Sequence, residues 1–327
     1  MQDMIKKLSY RHTTLACYLD FAYQGIVNNF PPLLFVIFQK TWNISLLQIT
    51  FLISLNFIIQ FLVDIFSIFF VEKIPYRLLA LASSAFTFTG LISLVILPNF
   101  LTDSYIGLCI AIVLNGLGGG LIDVIGSPII EGLPNENKSG SMSLLHSIYC
   151  WGSVVAILIT TGCLVLFGYQ SWMALSCGFA LIPLTSFLLF LKVPILQLTN
   201  EEDEDHIPLS KLLRRKFFYV FLLLIMIGGA TEMAISQWSS YFAEIALGVP
   251  KATGDVLGPC LLLFTMAITR TWLGTKAKKI RLDRVLLFSS VICLVSVLVI
   301  ISSPSALGSL LAWFWSWFLM AGYSFIS

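Results

Sequence analysis

The sequence predicts an all-α polytopic membrane protein, a bundle of helices that each cross the bilayer. Of its 327 residues, 58% are hydrophobic and only 11% are charged, whereas a soluble domain carries about 25% charged residues. The apolar residues form continuous runs of about 20, the length that a helix needs to cross the hydrocarbon core. A membrane β-barrel would instead show alternating segments of about ten residues. This composition excludes a soluble enzyme, a nucleic-acid-binding protein and a disordered chain, and the net charge of +2 indicates no polyanionic partner.

Ten apolar runs predict ten membrane-spanning helices. The first contains Asp20 and lacks a small-residue cleavage site, so it is a retained span and not a signal peptide. Pro31 and Pro32 predict a kink near its end. The fourth run has four glycines between residues 116 and 120, which predict close packing against neighbouring helices. In chain order the runs cover residues 13–38, 45–70, 77–97, 105–129, 142–167, 172–191, 217–245, 256–272, 285–302 and 306–325.

The basic residues predict the orientation, because cytoplasmic loops carry the excess of Lys and Arg. With a cytoplasmic N-terminus, 17 of the 19 Lys and Arg residues fall on the cytoplasmic side, and only Lys40 and Lys251 fall outside. The sequence therefore predicts a multi-pass protein of the cytoplasmic membrane.

A hydrophilic stretch after the sixth run divides the chain into two sets of spans. It holds five consecutive acidic residues at 201–205 and then a basic cluster, which is typical of a solvated loop. A weak internal repeat supports the division, because residues 73–84 after span two resemble residues 279–290 after span eight. The predicted domains are a six-helix half at 1–192, a cytoplasmic loop at 193–216 and an incomplete four-helix half at 217–327.

This arrangement resembles the major facilitator superfamily of secondary transporters. The loop at residues 71–77, with Asp64 at the end of the preceding span, is similar to that family's signature loop, although the family's glycines are missing. The stretches at 115–128, 143–152 and 228–238 resemble the branch of fucose permeases and related bacterial sugar carriers. The resemblance implies a two-half bundle of twelve spans, of which ten are predicted here, so we expect a truncated product or a fragment.

Three acidic residues lie well inside predicted spans, where a charge is costly and is normally turned to a partner or a wet cavity. They are Asp20 in span one, Asp123 in span four and Glu232 in span seven. The resemblance implies that spans one, four, seven and ten line the central cavity. Asp20 can alternatively reach the headgroups, and the asparagines of span one can bond adjacent helices. The expected substrate-binding residues are Asp20, Asn28, Asn29, Asn115, Tyr149, Trp151, Glu232, Gln237, Trp238 and Trp313.

Gln237 and Trp238 cannot share a face of a regular helix with Glu232. Five residues turn an α-helix by about 140° net, and six turn it by about 240°. We therefore expect span seven to be interrupted at Gly228 and Gly229, where unwinding costs little, so that all three side chains face the cavity.

The proton-coupling site is predicted at Asp123 and His146. They lie at similar depth near the cytoplasmic ends of consecutive spans, so a hydrogen-bonded pair is expected. Glu232, near the middle of the membrane, is the rival site.

Four charged residues near cytoplasmic span ends are predicted to act as conformational latches. Asp64 and Glu131 are expected to pair with basic groups there, and Arg77 and Arg270 are the basic members of the set.

The predicted function is secondary active transport of a small polar solute by alternating access, with a sugar as the leading interpretation and proton symport as the coupling. Span four has no basic residue and span five no proline, unlike the multidrug exporters of the superfamily. An efflux carrier of the same fold and a truncated, transport-inactive sensor or scaffold are the alternatives.

The protein is not expected to be an enzyme, since His146 is the one histidine within a span and no nucleophile or paired acid accompanies it. No cofactor, metal or nucleic acid is expected, and the partners of the predicted monomer are the solute, protons and the lipid bilayer.

Overall fold

A computed structural model describes residues 9–71, 73–134, 138–196, 214–245 and 248–276, together with Val291, Val295 and Leu298. All regular elements within these ranges are helices. Predicted spans nine and ten, including Trp313, lie outside the described residues apart from those three positions, and so does most of the 193–216 loop.

The described helices correspond to the first eight predicted spans. Spans two to seven are each confirmed as one continuous helix, with bounds that differ from the prediction by no more than four residues. Within the described ranges, six segments are long and apolar enough to cross a membrane, and the bent pair at the start makes seven; the helix Lys216–Ile245 is not among them. The helices are α1 (Tyr10–Leu33), α2 (Phe35–Trp42), α3 (Leu46–Phe70), α4 (Tyr76–Phe100), α5 (Ser104–Gly132), α6 (Lys138–Phe167), α7 (Ser171–Phe190), α8 (Lys216–Ile245), α9 (Lys251–Asp255) and α10 (Leu261–Lys276).

Span one is a broken helix, as its two prolines predict. The axes of α1 and α2 differ by 48°, and the break falls at Leu34, directly after Pro31 and Pro32. Proline removes a backbone N–H and crowds the preceding turn. The Leu34 N–H donates to the carbonyl of Pro31, three residues earlier, at 2.9 Å. The last turn of α1 is therefore a tighter, 3₁₀-type turn.

Span eight differs from the single helix that was predicted. It consists of the short α9, a π-helical turn at Val256–Cys260, and α10. Gly258 departs from helical geometry, and Pro259 follows it without a backbone N–H. Span eight is therefore divided near its first third.

The helices α1 to α7 pack together as a first group. In it α1 contacts α5, α6 and α7, α4 contacts α5 and α7, and α3 contacts α5. The second group, α8 to α10, joins the first mainly through α10 against α6 and α8 against α1. We call the end where α1 begins and α7 ends the basic end, because Lys73, Arg77 and Lys192 lie there. The opposite end holds the α2–α3 and α6–α7 connections.

The glycines of span four pack against other helices, as predicted. A Cβ on Gly118 would lie 2.9 Å from the backbone nitrogen of Thr87 on α4, and a Cβ on Gly119 would lie 2.7 Å from Gln24 Oε1 on α1. Gly120 faces α3 equally closely. Three helices can therefore approach α5 on three sides because it has no side chain at these positions.

Candidate solute and proton sites

A cluster of polar side chains surrounds Asn28 where the first group meets α8. The Asn28 Oδ1 accepts hydrogen bonds from Gln60 Nε2 at 3.1 Å and from Asn56 Nδ2 at 3.4 Å, both on α3. The backbone oxygen of Asn28 accepts from Gln237 Nε2 on α8 at 3.0 Å. The hydroxyl of Tyr149 on α6 lies beside the Asn28 side chain. Side chains from three other helices thus meet at Asn28.

Asn29 forms a second connection between α1 and α8. Its Nδ2 donates to the carbonyl of Gly25 at 2.9 Å and to Ser153 Oγ on α6 at 3.0 Å. Its Oδ1 accepts from Ser236 Oγ on α8 at 2.9 Å. The asparagines of span one therefore bond adjacent helices in this structure, which was one of their two predicted roles.

Asp123 on α5 is the next candidate residue of the site. Protein surrounds its carboxyl group, yet the residue is exposed. Its Oδ2 accepts a hydrogen bond from Gln24 Nε2 on α1 at 3.0 Å, and the carboxyl group of Asp64 on α3 is close enough to interact with it electrostatically. An ionisable group placed this way in a membrane protein is a candidate for function.

The predicted pair of Asp123 and His146 is wrong. No hydrogen bond joins them in the described part of the chain, where Asp123 pairs with Gln24. The His146 ring instead packs edge-on against Phe21, with centroids 5.5 Å apart. The two residues have similar depth, but depth does not fix which face of each helix carries them.

Glu232 lies near Arg270 on α10. Its carboxyl group is half-buried and interacts electrostatically with the Arg270 guanidinium on α10. The Arg270 Nη1 also donates to the carbonyl of His146 at 3.3 Å and lies 3.5 Å from Cys150 Sγ. Because Arg270 is only 7% exposed, it connects α10 to α6 in the interior of the protein.

The predicted interruption of span seven is wrong. The helix α8 continues through Gly228 and Gly229 to its end. An unwound turn in the bilayer would leave backbone N–H and C=O groups without partners, which costs several kcal/mol per group. Gln237 and Glu232 consequently face different helices, with Gln237 on α1 and Glu232 towards α10.

Asp20 and Asn115, which were predicted to line the cavity, are placed between helices of the first group in this structure. Both are buried within the first group. Asp20 accepts a hydrogen bond from Ser186 on α7, so it reaches neither the cavity nor the headgroups. Asn115 packs on Gly90 of α4, where an added Cβ would meet its Oδ1 at 2.5 Å. Asp20 thus faces α7, and Asn115 faces α4.

Two of the three predicted tryptophans, Trp151 and Trp238, pack at contacts between the groups. Trp151 Nε1 donates to Thr271 Oγ1 on α10 at 3.3 Å. Trp238 lies against Phe35 of α2, with ring centroids 6.5 Å apart. Phe35 and Trp238 bring α2 onto α8 at the opposite end.

The predicted acid–base latches at the basic end are wrong within the described ranges. Arg77 Nη1 donates to the carbonyls of Phe190 and Leu191 at 2.7 and 2.9 Å, and Nη2 donates to that of Val193 at 2.8 Å. A helix C-terminus has unpaired carbonyls and a partial negative charge, so α7 itself binds this arginine. Asp64 and Glu131 form no ion pair in the part of the chain described here.

Three residues of these sites were missed in the sequence. Gln24 follows Asp20 by four residues, and Asn56 and Gln60 are four residues apart on span two. Amides inside an apolar run carry the same signal as acids, because each needs a partner or water.

The amino-acid sequence matches the model of one protein family over most of its length. The sequence model of the Major Facilitator Superfamily matches residues 16–327. The chain belongs to the major facilitator superfamily. It is thus a multi-pass membrane transporter and not an enzyme, and the predicted family and fold class are confirmed.

Solved transporters have the same fold. A proton:xylose symporter, XylE, bound to 6-bromo-6-deoxy-D-glucose is 10% identical, with a TM-score of 0.74 over 96% of this chain and 80% of that one. The inward-open xylose transporter XylE from E. coli is 13% identical, with a TM-score of 0.65 over 94% and 79%. FucP, a superfamily transporter in its outward conformation, is 18% identical, with a TM-score of 0.66 over 95% and 82%. At these identities the likeness shows the fold, and no curated protein matches the sequence.

Proposed function

We propose that this transporter is a proton-coupled symporter for a small, uncharged polar solute, with sugars as the leading class. The observation that carries the proposal is the Asn28 cluster. Amide and phenol groups both donate and accept hydrogen bonds, so they suit hydroxyl groups better than ions. The cluster joins both groups of helices, and a solute bound there would contact each of them. The proton:xylose symporter among the structural neighbours supports the same class.

Asp123 is the proposed proton site. Its hydrogen-bond donor, Gln24, belongs to another helix, so a movement of α1 relative to α5 changes how the carboxylate is stabilised. A coupling group requires a proton affinity that differs between the access states. Glu232 remains the rival site, since its interaction with Arg270 joins two helices of the second group.

The two predicted halves move against one another in this proposal, and the basic end faces the cytoplasm. The contacts of α8 with α1 and α2 involve residues 28–35 and 236–238, towards the opposite end. Asp123, nearer the basic end, is accessible. We infer a state in which the α8 contacts close the outside, while α6 and α10 stay in contact nearer the cytoplasmic end through Ser143 and Arg270.

The orientation is tested by single cysteines in a cysteine-free background. A membrane-impermeant thiol reagent added to intact cells should label a cysteine at Tyr169 but not one at Lys192, because these exposed residues lie at opposite ends. After the cells are opened, both should react. Labelling of the Lys192 position in intact cells would reverse the orientation.

Symport is tested with the purified protein in liposomes that enclose a pH-sensitive dye. A neutral sugar such as D-xylose or L-fucose, added outside without a membrane potential, should acidify the interior, because each solute carries a proton inward. Liposomes without protein and protein with a charged sugar acid are the controls. Sugar entry without acidification would contradict proton coupling, and a lack of entry across a panel of neutral sugars would contradict the solute class.

A further inference from the structure

A fully buried carboxylate lies between the two groups of helices at the opposite end. Asp255 on α9 is 0% exposed. Its Oδ1 accepts hydrogen bonds from Ser240 Oγ and from Lys251 Nζ, the latter at 3.2 Å, and its Oδ2 accepts from Thr161 Oγ1 at 2.9 Å. A buried charge is tolerated when it is paired and hydrogen-bonded, and here both oxygens have donors.

The donors of Asp255 come from both groups. Lys251 and Ser240 belong to the second group, on α9 and α8, whereas Thr161 belongs to α6 of the first. If the groups separate at this end, the lysine and serine move with Asp255 and the threonine does not. The Oδ2 atom then loses the one donor that the described residues give it.

The chain after Asp255 allows α9 to move separately from α10. The π-helical turn begins at the next residue, and its Gly258 is not helical. Pro259 donates no backbone hydrogen bond. The rest of span eight stays packed on α6, where Ser147 Oγ is 2.5 Å from Thr271 Oγ1. The short helix α9, which carries Asp255, is thus joined by a hinge at residues 256–260 to α10, which stays packed on α6.

The geometry points to a state-dependent clasp in which Thr161 and Asp255 hold the opposite end closed. The clasp sets the ratio of the two access states, and it rests on the proposed alternating-access function. A hydrogen bond to a charged group changes a two-state ratio by about ten- to a hundredfold. Asp255 is enclosed by its donors and lies apart from the Asn28 cluster, so it is a positioning residue and does not bind the solute.

The test uses Cys260 as a native reporter. It directly follows Pro259, is 5% exposed, and belongs to a buried cluster that includes Leu33 of α1 and Cys150 of α6. In full-length protein whose other six cysteines are replaced by alanine, Thr161→Val should speed the reaction of Cys260 with an impermeant maleimide from the opposite side about tenfold. Valine keeps the shape of threonine and removes the hydroxyl.

The adjacent residue supplies the matched control. Thr160 is fully buried, and its Oγ1 has no hydrogen-bond partner among the described residues. Thr160→Val should leave the labelling rate unchanged, and Thr161→Ser should restore the slow rate. Equal rates for Thr161→Val and Thr160→Val would overturn the clasp. Because labelling needs neither solute nor a proton gradient, this result is independent of the symport test.

Discussion

Asp123→Asn should abolish proton-driven accumulation of the solute while solute exchange across the membrane continues. Asparagine keeps the shape of the side chain and binds no proton at this position. A membrane potential of about 100 mV is worth about 2.3 kcal/mol per charge, which corresponds to about 50-fold accumulation for symport with one proton. The variant should reach equal concentrations on both sides. Uptake of radiolabelled solute into energised vesicles and counterflow in unenergised vesicles measure the two properties.

Glu131→Gln provides the control on the same helix. Glu131 is exposed and lies eight residues further along α5, so its neutralisation should leave accumulation intact. The Glu232→Gln variant distinguishes the rival site. If accumulation survives Asp123→Asn and is lost in Glu232→Gln, the coupling role belongs to α8.

Gly152→Ala should destabilise the protein by about 3 kcal/mol or more, at the upper end of the usual cost of overpacking. The α1 and α6 helices cross here in close contact. An alanine Cβ would lie 2.5 Å from the backbone oxygen of Ala22 and 2.7 Å from its Cα, and backbone atoms cannot rotate out of the way. Thermal unfolding in detergent, followed with a thiol-reactive dye on the buried cysteines, should show a lower transition temperature.

Gly162→Ala on the same helix is the matched control. No atom lies within 4 Å of the added Cβ, and alanine stabilises a helix by up to about 1 kcal/mol relative to glycine. This variant should therefore unfold at the same or a slightly higher temperature. Equal destabilisation by both substitutions would show that the contact with Ala22 is not the cause.

The sequence determined the bounds of spans two to seven to within four residues, because the bilayer imposes a fixed length of apolar helix. The run at 45–70, for example, became Leu46–Phe70. The kink after Pro31 and Pro32 and the close packing of the span-four glycines were predicted for the same local reason, since each follows from the chemistry of the residue itself.

Only the tertiary structure decided which partner each polar residue has. Asp20 and Gln24 lie one turn apart on α1, yet Asp20 bonds α7 and Gln24 bonds Asp123 on α5. Arg77 binds the carbonyls at the end of α7 and not an acid. The sequence positions a residue along the membrane normal to within a turn, but helix rotation and the choice of neighbouring helices come from packing over the whole bundle. The sequence therefore could not predict the partners of Asp123, His146 and Asp255. Their contacts join helices that are distant in the chain, or they depend on how those helices are rotated relative to one another.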